Sequence, residues 1–395
     1  MIRLVLAARA LRGFADGCIS VVLPAYLLAL GHGELEVGLI STATLFGSAF
    51  TTLAIGRWGN RFPVRRLMLA AALLMAATGA AFAGFSSLWP LLVVGFAGTL
   101  NPSSGDASVF MPLDHTMLAT APAEQRTALF ARYSFIGSVF GALGALAAGA
   151  PEWLAAAGWS MLDALRAMFL LYGAIGAGVW LLYRGLPEPR VEQQGPPAAL
   201  GPSRGIVLRL AGLFSVDSFA GGLVLNSLLA LWLFERFGMS LAGAGAFFFW
   251  TGLLAALSQL AAPLLAKRIG LVNTMVFTHI PSSVFLIAAA FAASLETALA
   301  CLLARSLLSQ MDVPTRSAFV MNVVTPEERP AAASFTAVPR SLAAAASPSL
   351  TGAMFAAGAM AAPLVMCGVL KIAYDLALLA AFRRLDASAG RAGER

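Results

Sequence analysis

Val37-Gly-Leu-Ile-Ser-Thr-Ala-Thr-Leu-Phe-Gly-Ser-Ala-Phe-Thr-Thr-Leu-Ala-Ile-Gly56 is an apolar run, Arg57-Trp-Gly-Asn-Arg-Phe-Pro-Val-Arg-Arg66 is a basic turn, and Leu67-Met-Leu-Ala-Ala-Ala-Leu-Leu-Met-Ala-Ala-Thr-Gly-Ala-Ala-Phe-Ala-Gly84 is a second apolar run. Each run approaches the roughly 20 residues a helix needs to cross the hydrocarbon core of a bilayer. The turn between them carries Arg57, Arg61, Arg65 and Arg66. A segment so charged cannot lie in hydrocarbon, so it marks a membrane face, and the flanking runs read as a hairpin of spanning helices.

The same alternation of apolar run and short punctuated loop continues in both directions. Spans are expected near 7–30, 37–57, 66–86, 88–118, 127–149, 164–184, 206–234, 241–265, 272–293, 297–323, 333–357 and 362–383. Composition agrees: 59% of residues are hydrophobic, 11% are charged and mean hydropathy is +0.82, whereas soluble domains carry about 25% charged residues. The expected class is an all-α membrane protein of about twelve transmembrane helices. Its partner is then the lipid bilayer.

The net charge of +7 does not indicate nucleic acid, because the cations follow membrane topology instead of gathering on one face. With the first span starting inside, Arg57, Arg61, Arg65, Arg66, Arg126, Arg184, Arg190, Arg204, Lys267, Arg268, Arg329, Arg383, Arg384, Arg391 and Arg395 fall in cytoplasmic connections. The opposite loops hold Glu34, Glu36, Glu152, Asp163 and Glu296, with Arg166 and Arg236 as basic exceptions. Both termini are therefore expected in the cytoplasm, and the arginine-rich, alanine-rich composition fits a bacterial inner membrane. Arg9, Arg12 and Asp16 interrupt any simple signal-peptide core, which favours an uncleaved first span. Cys18, Cys301 and Cys367 lie in apolar stretches without disulfide or metal spacing.

The polar stretch Leu186–Gly205 divides the chain into two halves that look like repeats. Asp16 opens one half and Asp217 the other. At a shift of about 200 residues the loop Gly56–Pro63 meets Pro263–Gly270, and Pro122-Ala-Glu-Gln-Arg126 meets Pro326-Glu-Glu-Arg329. The expected organisation is a six-helix bundle over 1–185, a cytoplasmic linker over 186–205, a second six-helix bundle over 206–384 and a short tail over 385–395.

With six plus six spans, a central loop and this motif between spans two and three, the chain resembles the major facilitator superfamily over essentially its whole length. The loop motif of that family is matched by Gly56, Asn60, Arg61, Pro63, Arg65 and Arg66, with Asn60 where the family usually has Asp and Pro63 where Gly is common. The family's acidic partner near the end of the fourth span is displaced, the nearest being Asp114. The resemblance implies two pseudo-symmetric bundles, a cytoplasmic gate at that motif, and a central cavity lined by spans one, four, seven and ten. It also implies a secondary transporter working by alternating access.

In the fourth span Asn101-Pro102-Ser103-Ser104-Gly105-Asp106 interrupts an apolar segment. Proline removes a backbone donor and glycine loosens the next turn, so a kink or unwound stretch is expected here. Transporters place substrate sites at such breaks; a packing kink is the alternative. The counterpart in span ten holds Arg305, Gln310, Asp312, Pro314 and Arg316. The expected substrate-binding set is Asn101, Ser103, Ser104, Asp106, Asp217, Arg305, Gln310 and Asp312.

Asp16, Asp106 and Asp217 are the candidates for proton coupling, since a carboxyl that alternates between burial and water can load and release a proton. The competing reading has Arg12 neutralising Asp16 and Arg209 neutralising Asp217. Arg305 suits an anionic group or neutralises a cavity acid. Asp312 with Arg316, and Lys371 with Asp375, stand at i and i+4 and read as pairs within one helix. Arg340 meets the loop at Asn60 or caps carbonyls. His115 and His279 read as isolated packing residues. Gly13 with Gly17, and Gly137 with Gly141, are small-xxx-small pairs for close helix contact.

No nucleotide-binding glycine loop, metal constellation or nucleophile elbow is present in the sequence. The expectation is a transporter and not an enzyme, without cofactor or metal, acting as a monomer. Proton-coupled export of a small organic compound leads. A uniporter or symporter for a small anion or metabolite, and a transport-inactive sensor or scaffold, are the alternatives.

Overall fold

A computed structural model describes residues 1–103, 108–188, 200–325 and 328–392. Regular structure among them is helical: α1 (Ile2–Ala29), α2 (Glu34–Trp58), α3 (Val64–Gly84), α4 (Leu88–Ala97), α5 (Phe110–Leu118), α6 (Ala123–Ala147), α7 (Ala150–Ala156), α8 (Met161–Arg184), α9 (Arg204–Gly222), α10 (Asn226–Phe237), α11 (Leu241–Ile269), α12 (Leu271–Ala290), α13 (Leu295–Ser306), α14 (Asp312–Val323), α15 (Arg329–Ala346), α16 (Pro348–Ala356) and α17 (Ala362–Ala392).

Among the described residues, nine helices are long and apolar enough to span a membrane. Three more expected spans, 88–118, 297–323 and 333–357, are interrupted and appear as the pairs α4 with α5, α13 with α14, and α15 with α16. Together these account for the twelve. The breaks have local causes. Asn101 Oδ1 accepts from the Ser103 backbone N–H at 3.1 Å and its hydroxyl at 2.7 Å, a side-chain turn that competes with helical bonding. Pro314 and Pro348 sit in the first turns of α14 and α16, where a missing N–H costs nothing, and they prevent one continuous helix.

The outward faces are apolar. Trp89 is 77% exposed and Leu264 68%, with Leu73, Val93, Leu260 and Phe291 similarly bare. In water such a surface would be an aggregation hazard; in lipid it is the required solvent match.

The chain divides into two compact units. The first comprises 1–192, 225–252 and 348–358; the second comprises 193–224, 253–347 and 359–395. Inside the first unit, α1 packs along α6 through a glycine seam. A Cβ on Gly17 would strike the Gly141 carbonyl, and one on Gly144 the backbone of Phe14. Both small-residue pairs of the sequence thus meet in one contact. Gly79 meets Gly173 where α3 crosses α8, and Gly38 meets Gly352 where α2 crosses α16. Between lipid-solvated helices there is no hydrophobic driving force, so backbone approach of this kind supplies the packing energy. Glu152 adds a cap, accepting from the N–H groups of Leu241 at 2.6 Å and Ala242 at 3.2 Å at the start of α11.

In the second unit α9 lies on α15 and α12 on α17, around Val207, Leu210, Phe214, Met275, Phe319 and Leu378. Its polar edge is tied down by Glu328, which accepts from the backbone N–H of Gly201 and, at 3.2 Å, of Ser203. Arg126 and Arg329 do the same job in their respective loops. Arg126 donates to the Ala121 carbonyl at 2.8 Å, in the loop after α5, and Arg329 to that of Met321 at 3.1 Å, in the last turn of α14.

Gly17→Val should prevent close approach of α1 and α6. The expected result is loss of the monodisperse peak in size-exclusion chromatography, whereas Gly212→Ala, at a position with open space, should leave it unchanged. A second expectation concerns pH. Hydrogen bonds from Ser203 and Gly201 hold the Glu328 carboxyl below the usual range, which is about 4.3 for an unfolded chain. Its stabilisation is therefore present above that value and lost as pH falls through the lower folded one. Glu328→Gln should lower the melting temperature at neutral pH, and the gap to wild type should close on acidification.

Candidate functional site

Asp217 lies near the middle of the span formed by α9 and α10, where an isolated carboxylate is costly. It is balanced by two cations. Lys371 Nζ of α17 donates to Oδ1 at 2.6 Å, and Arg316 Nη1 of α14 donates to Oδ2 at 3.0 Å. Arg316 also meets Asp312 at 3.3 Å, at the i and i+4 spacing, and lies over the ring of Phe214. Lys371 continues to His279 Nε2 of α12 at 3.3 Å, and His279 Nδ1 meets the Asp375 carboxylate at 3.1 and 3.2 Å. The result is a buried chain Asp312–Arg316–Asp217–Lys371–His279–Asp375.

The chemistry of the donors assigns the imidazole's protons. An ammonium only donates and a carboxylate only accepts, so the neutral ring carries its proton on Nδ1, toward Asp375, and accepts from Lys371 at Nε2. Protonating His279 would remove that acceptor and place two cations in contact.

These positions revise three sequence expectations. Lys371 and Asp375 do not pair with each other along α17: Lys371 turns to Asp217 and Asp375 to His279. His279 is not isolated but the centre of the network. Asp217 is neutralised by Arg316 and Lys371, and Arg209 is not its partner. The sequence signal available was the presence of Lys371, Asp375 and His279 in apolar spans, which membrane energetics marks as functional by default.

The first unit has its own buried pair. Arg12 of α1 donates to Asp114 of α5, and not to Asp16 one turn away. Tyr133 Oη donates to the same Asp114 oxygen at 2.7 Å and Tyr183 Oη to the other at 3.3 Å. The guanidinium sits 4.2 Å from the Phe110 ring centroid. Asp114 is completely buried, so the acid nearest to the family's gate partner is already engaged by three side chains.

The remaining candidates fall as follows. Asp16 is buried within electrostatic range of Tyr172, whose hydroxyl pairs with Thr99. Asn101 is buried, Ser103 half-buried, and the Pro102 carbonyl accepts from the Ser227 N–H at 3.1 Å. Ser104 and Asp106 lie outside the described residues. Arg305 on α13 and Gln310 in the following turn are half-buried, and Asp312 is buried. In the loop motif, Gly56, Arg61 and Arg66 are exposed or partly so, Pro63 precedes α3, and Arg65 donates to the Arg184 carbonyl at 2.7 Å. The side chain of Asn60 lies outside the described set. His115 packs edge-on against Phe130 and Tyr133.

Spanning helices with charge-balanced polar groups at membrane depth, three of the spans interrupted, define a polytopic membrane carrier. The sequence profile of the Major Facilitator Superfamily matches residues 5–216, and the chain belongs to that superfamily. An uncharacterized membrane protein of Saccharomyces cerevisiae is 23% identical over 424 residues, covering 98% of this chain and 95% of its own. The xylose transporter XylE from E. coli superposes with a TM-score of 0.75 at 15% identity over 96% of each chain. The nucleoside transporter NupG gives 0.74 at 14% identity, over 96% of this chain and 98% of its own. A bacterial homolog of the human lysosomal transporter Spinster gives 0.70 at 17%, over 99% and 96%. At these identities the likeness is one of fold.

Removing one member of a buried ion pair typically costs about 3–5 kcal/mol, because the other charge is stranded. Asp114→Leu and Arg12→Met should each lower the melting temperature sharply in detergent. The double variant should be more stable than the sum of the two losses allows, and simple additivity would show that the pair is not coupled.

Proposed function

We propose that the chain is a proton-coupled secondary transporter, exporting a small organic compound by alternating access, with the Asp217 network as its coupling site. The supporting observation is the run of alternating charges Arg316–Asp217–Lys371–His279–Asp375 on four helices of one unit. Each link is a hydrogen bond that one proton can make or break. A proton on Asp217 releases Lys371 and Arg316; a proton on His279 drives Lys371 toward Asp217. Both termini are cytoplasmic in this reading, the membrane is a bacterial inner membrane, and the working form is a monomer.

Alternating access also needs a seam that can part. The close contacts of Gly38 with Gly352, and of the Ser349 N–H with Thr42 Oγ1 at 2.9 Å, join segments from opposite sequence halves within the first unit. Glycine contacts without interlocking side chains separate at little cost. A second reading, a carrier for a small anion or metabolite, draws on Arg305, which makes no ion pair among the described residues.

Proteoliposomes loaded with a pH-sensitive dye test the proposal. Nucleosides, pentoses and organic anions, the solute types in the names of structural neighbours, are added in turn. For a transported solute, Asp217→Asn should reduce solute-evoked proton movement by about tenfold or more while gradient-free counterflow persists. Solute flux at one rate with and without a pH gradient would overturn proton coupling. Absence of all movement would favour the sensor or scaffold reading.

A further inference from the structure

We infer that Arg340 is a substrate ligand, and that the solute it takes is a small organic anion whose carboxylate, phosphate or sulfonate group meets the guanidinium in the second unit. The inference rests on the transporter reading and adds to it the chemical class of the cargo.

The charges in this unit are unequally served. Asp217 has Lys371 and Arg316, Asp312 has Arg316, and Asp375 has His279. Arg340 of α15 has no carboxylate. Its Nε donates to the neutral hydroxyl of Ser218 at 3.2 Å, and no acceptor serves its terminal nitrogens among the described residues. Arg316, Asp217, Asp312 and Tyr374 lie within electrostatic range, so a like charge is among its near neighbours. A guanidinium presents its donors as a planar fork, and here the outer prongs are unused.

A further fact points to a missing acceptor. The Tyr374 hydroxyl, in the same neighbourhood, is buried and has no hydrogen-bond partner. An orphaned buried donor costs free energy unless something accepts from it. Arg340 itself is only half-buried, so a ligand can reach it. A purely structural arginine would be expected to saturate its fork on carbonyls or carboxylates.

Thermal unfolding of the full chain in detergent provides the test, with benzoate, phenyl phosphate and benzenesulfonate as probes and benzamide, benzyl alcohol and benzylamine as uncharged or cationic counterparts. At least one anion should raise the melting temperature with saturable concentration dependence, and the counterparts should not. Arg340→Gln should shift the half-effective concentration upward by about tenfold or more. Arg340→Lys, which keeps the charge and removes the fork, guards against misfolding of the first variant and should weaken the effect less. Arg209→Gln, at an exposed cation, should change nothing. Equal protection by benzamide, protection undiminished in both Arg340 variants, or no protection by any anion overturns the inference. Because no gradient is present, anion binding without flux would sink only the transport proposal. Proton-linked flux of a neutral solute without anion protection would sink only this one.

Discussion

Asp217 is a carboxylate at the depth of a membrane, and it exists there because Lys371 and Arg316 hold both of its oxygens at 2.6 and 3.0 Å. That double neutralisation sets the rest of the second unit. It requires α9, α14 and α17 to present one polar face each to a common point, and it recruits α12 through His279. A buried ion pair is poor evidence for stability, since apolar residues of equal volume often serve as well or better. In the proposed function one proton breaks the pair, which gives two discrete arrangements of the same helices, as a bistable machine needs.

The small-residue seams are the mechanical complement. Where α1 meets α6 and α3 meets α8, glycine faces backbone, and any Cβ would collide. In lipid these contacts replace the hydrophobic effect as the source of helix association. They also avoid the interlocking of large side chains, which would resist sliding. Polar networks and glycine seams thus divide the labour: the first are strong and switchable, the second close but weakly interdigitated.

The fold was legible in the sequence because its signals are local. Hydropathy identified the spans, the arginine-rich turn at Arg57–Arg66 marked a membrane face, and Asn101-Pro102 announced the break between α4 and α5. The polar partnerships were not legible. Spacing along one helix names neighbours at i and i+4, so it proposed Lys371 with Asp375 and Arg12 with Asp16. The real partners sit on other helices: Asp217 for Lys371, His279 for Asp375, and Asp114 for Arg12. Which face of a helix turns inward depends on the rotation of its neighbours, and a single sequence carries no measure of it. Cost was the usable signal, since every ionisable group in an apolar span has to be paid for by a partner.

The two units treat their charges differently. In the first, Arg12 and Asp114 are sealed by Tyr133, Tyr183 and the Phe110 ring, and the carboxylate is completely buried. Each of its oxygens is already used, so a further proton or ligand finds little to displace. In the second, one lysine is shared between a carboxylate and an imidazole, and one arginine rests on a serine. Shared and under-served donors are the ones that a proton or an anion can recruit at low cost. The proposed function draws on that inequality, since the shared and under-served donors lie in the second unit.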